Sequence, residues 1–524
     1  METIKQQKLI EKILVIFLMI QPIFDLKIFY NSISTLIRVI VIGLLFIYFF
    51  INDKNKKKYY LAIYVMVFFI YFIFHHINAI HFNSFIPNNF NYSVIKEGLY
   101  FVKMLTPFLL IYCLYQSKIP LKHIIKSIVI TMSLIIIITN IFGISYGSYS
   151  DKKIEASFFK WFNNENNYTY QDLASKGLFE YANQISAILI ILLPILMLDI
   201  VDSKHKKLDL IVIFFNIWAL ILLATKVAVI GIAVDIVLVG CVILFDKLVN
   251  KERNINKSFL LLVLPIAFYI ITIPFNPMFD RMNERKTIIS TFSEGIANKE
   301  DAGETEYLGN NTSVENEGES ITINTAEQEQ ICEENVLDEQ SQKMQYIERI
   351  AEEKKLKKQF YMDNYPYEYD TDFWYSFVER DGALISNNRY VEEEMVKRVV
   401  EVNNNTFDKY LGITNTRLQN IFNIEKDFVV QYYALGMIGL ILVFLPYFSI
   451  LFIETIKMFK VKFKNITKYS YLCIGLIVFT FGISYCSGNL LNSLGFIIYF
   501  AMIYGVLLTE QTNKDWLIKK VNST

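Results

Sequence analysis

The sequence predicts an all-α polytopic membrane protein: about twelve transmembrane helices with one large extracytoplasmic loop region. Three observations give this class. Apolar runs of about 18 residues or more recur along the chain, the length a helix needs to cross a bilayer. Short lysine-rich loops alternate with loops almost free of basic residues. One long polar block, residues 276–424, interrupts the apolar pattern once.

The spans are expected near residues 9–24, 33–51, 59–79, 99–115, 121–142, 183–201, 208–224, 227–245, 259–275, 428–453, 469–487 and 490–508. The first follows Lys5, Lys8 and Lys12 and runs into Gln21-Pro22 without a small-residue cleavage site. It is therefore read as an uncleaved helix. The chain divides into an N-terminal membrane bundle (1–275, about nine spans), the large block (276–424) and a C-terminal bundle (425–524, about three spans). No internal repeat relates the halves, which weighs against the usual transporter design.

Loop charge sets the expected orientation. Lysines crowd the loops at 54–58, 118–122, 204–207, 247–257, 457–468 and 519–520, whereas those at 25–32 and 80–96 are poor in them. The positive-inside rule puts both termini in the cytoplasm and the large block outside. The expected location is the cytoplasmic membrane, multi-pass. Balanced charge, with 51 basic and 51 acidic residues, gives no reason to expect nucleic acid. The five cysteines (113, 241, 332, 473, 486) show no metal or redox spacing. No metal or cofactor is expected; His75, His76 and His81 are read as structural.

Between the spans, 143–182 is an intermediate outer loop with an aromatic patch, Phe158, Phe159, Trp161 and Phe162, suited to a membrane surface. In the large block, 298–341 is rich in Glu, Asn, Thr and Gln and reads as a disordered insert. Residues 343–359 have amphipathic helical spacing. Residues 361–378 are dense in aromatics and Asp, which would stack on a ligand's ring faces or pack on each other. Residues 388–402 read as a helix capped by Asn387 or Asn388. The block reads as a few helices and an insert lying over the membrane part, not as one compact domain.

Ionisable residues at membrane depth are functional candidates by default. Arg38 lies inside the second span, where it is either a ligand or a snorkelling side chain. Glu97 and Lys103 open the fourth span, as ligands or as an ion pair. Lys226 occupies a very short outer turn, Ala224-Thr225-Lys226, where lysine opposes the charge bias. Glu425 and Asp427 stand at a helix N-terminus, where a carboxylate serves either the dipole or base catalysis. Arg281, Arg285, Arg380, Arg389 and Arg417 supply guanidinium groups suited to phosphate on the same side.

Several short motifs in order resemble the O-antigen ligase/polymerase family, including its Gram-positive Wzy-type polysaccharide polymerases. They are Gln21-Pro22-x-x-Asp25; Gly177-Leu178-Phe179 with Asn183-x-x-Ser186-Ala187 and Leu193-Pro194; Ala224-Thr225-Lys226-Val227-Ala228; and Lys409-Tyr410-Leu411-Gly412 with Glu425-x-Asp427 and Gly436-x-x-Gly439. The resemblance covers the chain outside 298–369. It implies a bundle like that of lipid-dependent glycosyltransferases and substrates carried on polyprenyl pyrophosphate. It maps pyrophosphate-holding residues to Lys226 and Arg389; the charge placement read above adds Arg38, Lys103 and Arg281 as further cations, and Asn183 and Asn489 are expected as further substrate contacts. Ligase members carry histidines where this chain has Glu425, Asp427 and Asn489, so the polymerase branch is favoured. Expected partners are the lipid-linked glycan and the bilayer, with a flippase and chain-length regulators beside them. The alternatives are a ligase that hands finished glycan to an envelope acceptor and a flippase for lipid-linked sugar.

Overall fold

A computed structural model describes residues 2–30, 32–86, 90–163, 167–250, 257–284, 325–380, 387–421, 424, 426–464 and 466–521. These residues are mostly helical. The only β pairing among them is three isolated bridges, two of them within the 143–182 loop and one joining Phe179 to Leu26. The principal helices are α1 (Glu2–Met19), α2 (Ser32–Asn52), α3 (Lys58–Ala79), α4 (Val94–Ser117), α5 (Leu121–Ile141), α6 (Ala182–Asp202), α7 (Lys206–Leu223), α8 (Lys226–Asn250) and α9 (Val263–Thr272). After the large block come α13 (Asp427–Lys460), α14 (Lys468–Ser487) and α15 (Leu494–Val521); within it lie α10 (Thr325–Glu353), α11 (Thr371–Arg380) and α12 (Asn388–Asn403).

Among the described residues, nine helices are long and apolar enough to cross a membrane. The three other expected spans are helical too, as α1, α7 and α15, but fall short of that length or apolarity. Charged side chains explain the first two: α1 opens with Glu2, Lys5, Lys8, Glu11 and Lys12, and α7 with Lys206, Lys207 and Asp209. In α15 the apolar part is Leu494–Glu510.

Two apolar cores organise the molecule. The larger surrounds α6, which is almost wholly buried among α5, α7, α8, α14 and α15. The second joins α3 and α4 to the large block: Phe68, Tyr71, Phe101 and Met104 pack with Tyr361, Trp374, Met395 and Leu435. The aromatic stretch 361–378 is the interior of this core, with Tyr361, Tyr365, Trp374 and Phe377 all buried, so it packs on itself. The insert expected at 298–341 divides. Residues 285–324 lie outside the described set, while Thr325 onward is helical, where Glu, Gln and Ala give good helix propensity. Asn387 stands at the start of α12, without a side-chain capping bond. Of the 158–162 patch, Phe158 and Trp161 are buried and Phe159 and Phe162 exposed.

The second core depends on a break in α13. Gly436 leaves the helix at φ 64°, ψ −177°, a conformation essentially restricted to glycine. The break frees carbonyls that need donors. Ile413 N–H donates to the Tyr433 carbonyl (2.8 Å), Thr414 N–H to Ala434 (3.1 Å), and the Tyr71 hydroxyl to Leu435. Gly412 fits against the break: a Cβ on it would lie 2.2 Å from the Ala434 oxygen, and one on Gly436 2.3 Å from the Tyr410 carbonyl carbon. Residues 437–460 remain about 36 Å long, enough to cross a bilayer unaided. The half-helix 427–435 therefore belongs to the face that carries the large block.

Gly436→Ala is expected to cost more than ~3 kcal/mol, from backbone strain together with the backbone clash. Gly43→Ala, where a Cβ meets nothing within 4 Å, is the control. Thermal unfolding of the purified variants in detergent measures both; equal melting temperatures would contradict the crossing.

Candidate functional site

The turn between α14 and α15 gathers polar groups from four helices. Gly488 and Asn489 take it through positive φ, at 63° and 56°. Asp427, the first residue of α13, is fully buried and holds the turn. Its Oδ2 accepts from the N–H groups of Leu490 (2.9 Å) and Leu491 (3.1 Å), and its Oδ1 from Asn492 (3.4 Å). Both oxygens are thus occupied. These three amide bonds give Asp427 an organising role in the turn, and burial pushes its carboxyl pKa up to about 6. Glu425 lies outside the described residues.

Two cations flank the turn. Arg389, second residue of α12, donates from Nη1 to the Cys486 carbonyl (2.7 Å), one of the carbonyls a helix C-terminus leaves open. Lys103 of α4 is half-buried, its Nζ 6.0 Å from the Tyr100 ring centroid, and it forms no hydrogen bond or ion pair with a described residue. Tyr100 donates to Asn492 Oδ1 (3.4 Å). Asn489 is half-buried beside them. Glu97 does not pair with Lys103. It binds His75 Nε2 (3.1 Å) and accepts from Asn415 N, Thr416 N and Thr416 Oγ1, which fixes the start of the helical turn 415–418. Arg417 is consumed in the same wall, donating to the carbonyls of Phe90 and Ala79; burial pulls its pKa down to about 10.

Below the turn the polar groups are closed on each other. Arg38 is 1 % exposed; its Nε donates to Gln21 Oε1 (2.9 Å) and its Nη2 to Asp25 Oδ1 (2.7 Å), while Tyr499 donates to Asp25 Oδ2 (2.7 Å). Arg38 therefore neither snorkels nor presents a free cation. The Tyr30 hydroxyl bridges Gln184 Oε1 and Ser493 Oγ at 3.2 Å each. The Gln184 amide nitrogen is buried without a partner among the described residues. Asn183, the residue singled out by motif, is exposed. Gly495 is required here, since a Cβ would meet Gln184 Nε2 at 2.5 Å and Asp25 Oδ1 at 2.7 Å.

A second basic group surrounds the turn 224–226. Thr225 is buried and bonds Ser186 of α6 (2.7 Å); Tyr149 donates to the Ala224 carbonyl (2.6 Å). Lys226 is exposed at the head of α8, and the Arg281 guanidinium stacks 4.0 Å from the Tyr149 ring centroid. Lys27 and Lys176, which the motifs did not suggest, share Asp151 in the adjoining loop (2.8 and 3.5 Å). Burial lowers the Lys176 pKa, and the bond from Lys27 lowers that of Asp151. The candidate cations thus form two groups at separate turns: Lys103 with Arg389, and Lys226 with Arg281.

A sequence-family model described as O-antigen ligase like membrane protein matches residues 7–514, nearly the whole chain. No curated protein and no solved structure matches the chain.

Arg38→Met is expected to destabilise the protein by about 3–5 kcal/mol, because it strands the buried Asp25 carboxylate. Adding Asp25→Leu should recover most of that loss. Melting temperatures of the single and double variants provide the check. A double variant no more stable than the single one would mean that Arg38 is held by more than its pairing with Asp25.

Proposed function

The chain belongs to the O-antigen ligase-like membrane protein family, and from that premise we propose that it is a polysaccharide polymerase. It joins oligosaccharide repeats carried on polyprenyl pyrophosphate at the outer face of the cytoplasmic membrane. The membrane glycan-processing role comes with the family; reaction, substrate and orientation are the proposal. Lysine-rich loops on the opposite face support the orientation.

One observation carries the reading: Lys103, an ammonium with no ion pair among the described residues, beside a turn whose amides Asp427 already holds. Asp427 attracts Lys103 without bonding it, so the ammonium keeps its donors for a passing anion. In the proposed reaction Lys103 and Arg389 stabilise the pyrophosphate as the bond to the anomeric carbon breaks. Lys226 and Arg281 hold the pyrophosphate of the second lipid-linked repeat. Glu425 takes the proton from its hydroxyl, whose oxygen forms the new glycosidic bond. Charge stabilisation of the leaving group is the larger contribution; base catalysis adds about 10²–10⁴-fold. Asp427 positions the turn, Asn489 lines it, and Asn183 and Gln184 stand at its rear.

Asp235 supports a second reading, a flippase for the same lipid. It is fully buried in α8, about 13 Å along the helix from Lys226, and neither carboxyl oxygen has a partner among the described residues. A carboxyl at mid-depth is what ion-coupled transport would use.

The lipid-linked glycan profile of a deletion strain tests the first reading. Single lipid-linked repeats should accumulate, whereas long lipid-linked chains would indicate a ligase. Complementation with Lys103→Ala should give no polymer, at least about 10²-fold less than wild type, with the protein still in the membrane. Asp235→Asn should keep polymer formation. Loss of polymer in Asp235→Asn, with lipid-linked repeats trapped on the cytoplasmic side, would favour the flippase.

A further inference from the structure

A groove of ≈ 540 Å³ opens on the far flank of the half-helix from Asp427. Tyr432 follows Asp427 by five residues, about 140° round the helix. The walls of the groove are α12, the segment 405–413 with its helical turn Asp408–Leu411, and the half-helix itself. The Gly412–Gly436 crossing pins them, since Ile413, which lines the groove, donates to the Tyr433 carbonyl.

We propose that this groove holds the sugar rings of the growing chain; the proposal rests on the polymerase reading above. Tyr410, Tyr432 and Tyr433 line it, with Tyr410 46 % exposed and Tyr432 against Tyr433 at 5.1 Å between ring centroids. The three phenol hydroxyls bond no described residue. Tyrosine pairs an apolar ring face with a polar tip, which suits the C–H faces and hydroxyls of a sugar. Thr406 adds a further hydroxyl on the wall. A lipid tail would bring its methylenes against Glu401, Asn405 and Lys409 in this lining, which favours a ligand with hydroxyls. A phosphate fits poorly as well, because the cations are offset: Lys397 pairs with Glu394 (2.8 Å), and Glu401 and Asp408 stand near Lys409 in the same wall. In the other aromatic-rich stretch, 361–378, Tyr361, Tyr365, Trp374 and Phe377 are buried in the second core, and the exposed Tyr369 does not line this groove. A chain gripped here stays close to the turn between additions, raising its effective concentration for the next one.

Two variants test this in the complemented deletion strain and in purified protein: Tyr410→Ala with Tyr433→Ala, and Thr406→Trp, which fills the groove from an exposed position. Polymer should still form but be roughly two- to threefold shorter. Glycan fragments released from the strain's own surface polymer, titrated calorimetrically, should bind either variant about tenfold more weakly, the equivalent of ~1.4 kcal/mol. Lys103→Ala should bind the fragments like wild type while making no polymer. Unchanged chain length and unchanged binding in Thr406→Trp would overturn the groove, whatever the fate of the tyrosine variant. If the deletion strain accumulates no single repeats, the polymerase reading fails, and fragment binding to the groove then reports on the groove alone.

Discussion

A polar group inside an apolar bundle must find its partner within the protein, and the structure is arranged around that requirement. The break at Gly436 shows it at the backbone. Freeing carbonyls in the middle of an apolar helix is tolerable only because Ile413, Thr414 and Tyr71 supply donors at that spot. Those donors come from the end of the large block and from α3. The break therefore stitches the block onto the bundle, and the second core grows on both sides of the stitch.

The same requirement sorts the charged side chains. Arg38, Glu97 and Arg417 are deep, and each is enclosed by partners that satisfy it: Gln21 and Asp25, His75 and Thr416, and two backbone carbonyls. They shape the walls. Lys103 is only half-buried and bonds no described residue, so its ammonium is left to a ligand. Membrane position alone thus does not separate a structural charge from a functional one; the completeness of its pairing does.

The bundle was legible in the sequence because hydropathy and loop charge are local properties. Every expected span is a helix, and the family assignment follows from motifs read in order. The pairing of those motifs was not legible. Gln21 and Asp25 meet Arg38, Ser186 meets Thr225, and Gly412 meets Gly436, but nothing local says which distant residue answers which. For the same reason Arg38 reads as a free cation until Asp25 is placed beside it. In the Asn183-Gln184 pair the error is one of phase. A helix turns 100° per residue, so the neighbour of an exposed Asn183 is the buried Gln184. The 361–378 aromatics were ambiguous because composition alone cannot distinguish a hydrophobic interior from a binding face; burial decides it.

The two cations of the proposed leaving-group site are held differently, and the difference bears on catalysis. Lys103 lies between Phe101 and Met104, both buried in the second core, so its backbone is fixed from two sides. The turn it faces is held by Asp427 through three amides. A charge placed by packed helices keeps its geometry when the substrate leaves, which is what preorganised stabilisation of a leaving group requires. Arg389 stands near the start of α12 and contacts the turn by a hydrogen bond to the Cys486 carbonyl. A phosphate oxygen, being charged, is the stronger acceptor for a guanidinium than a carbonyl is. A charged pyrophosphate oxygen would therefore compete with the Cys486 carbonyl for the Arg389 guanidinium, while Lys103 keeps its place on the packed helix.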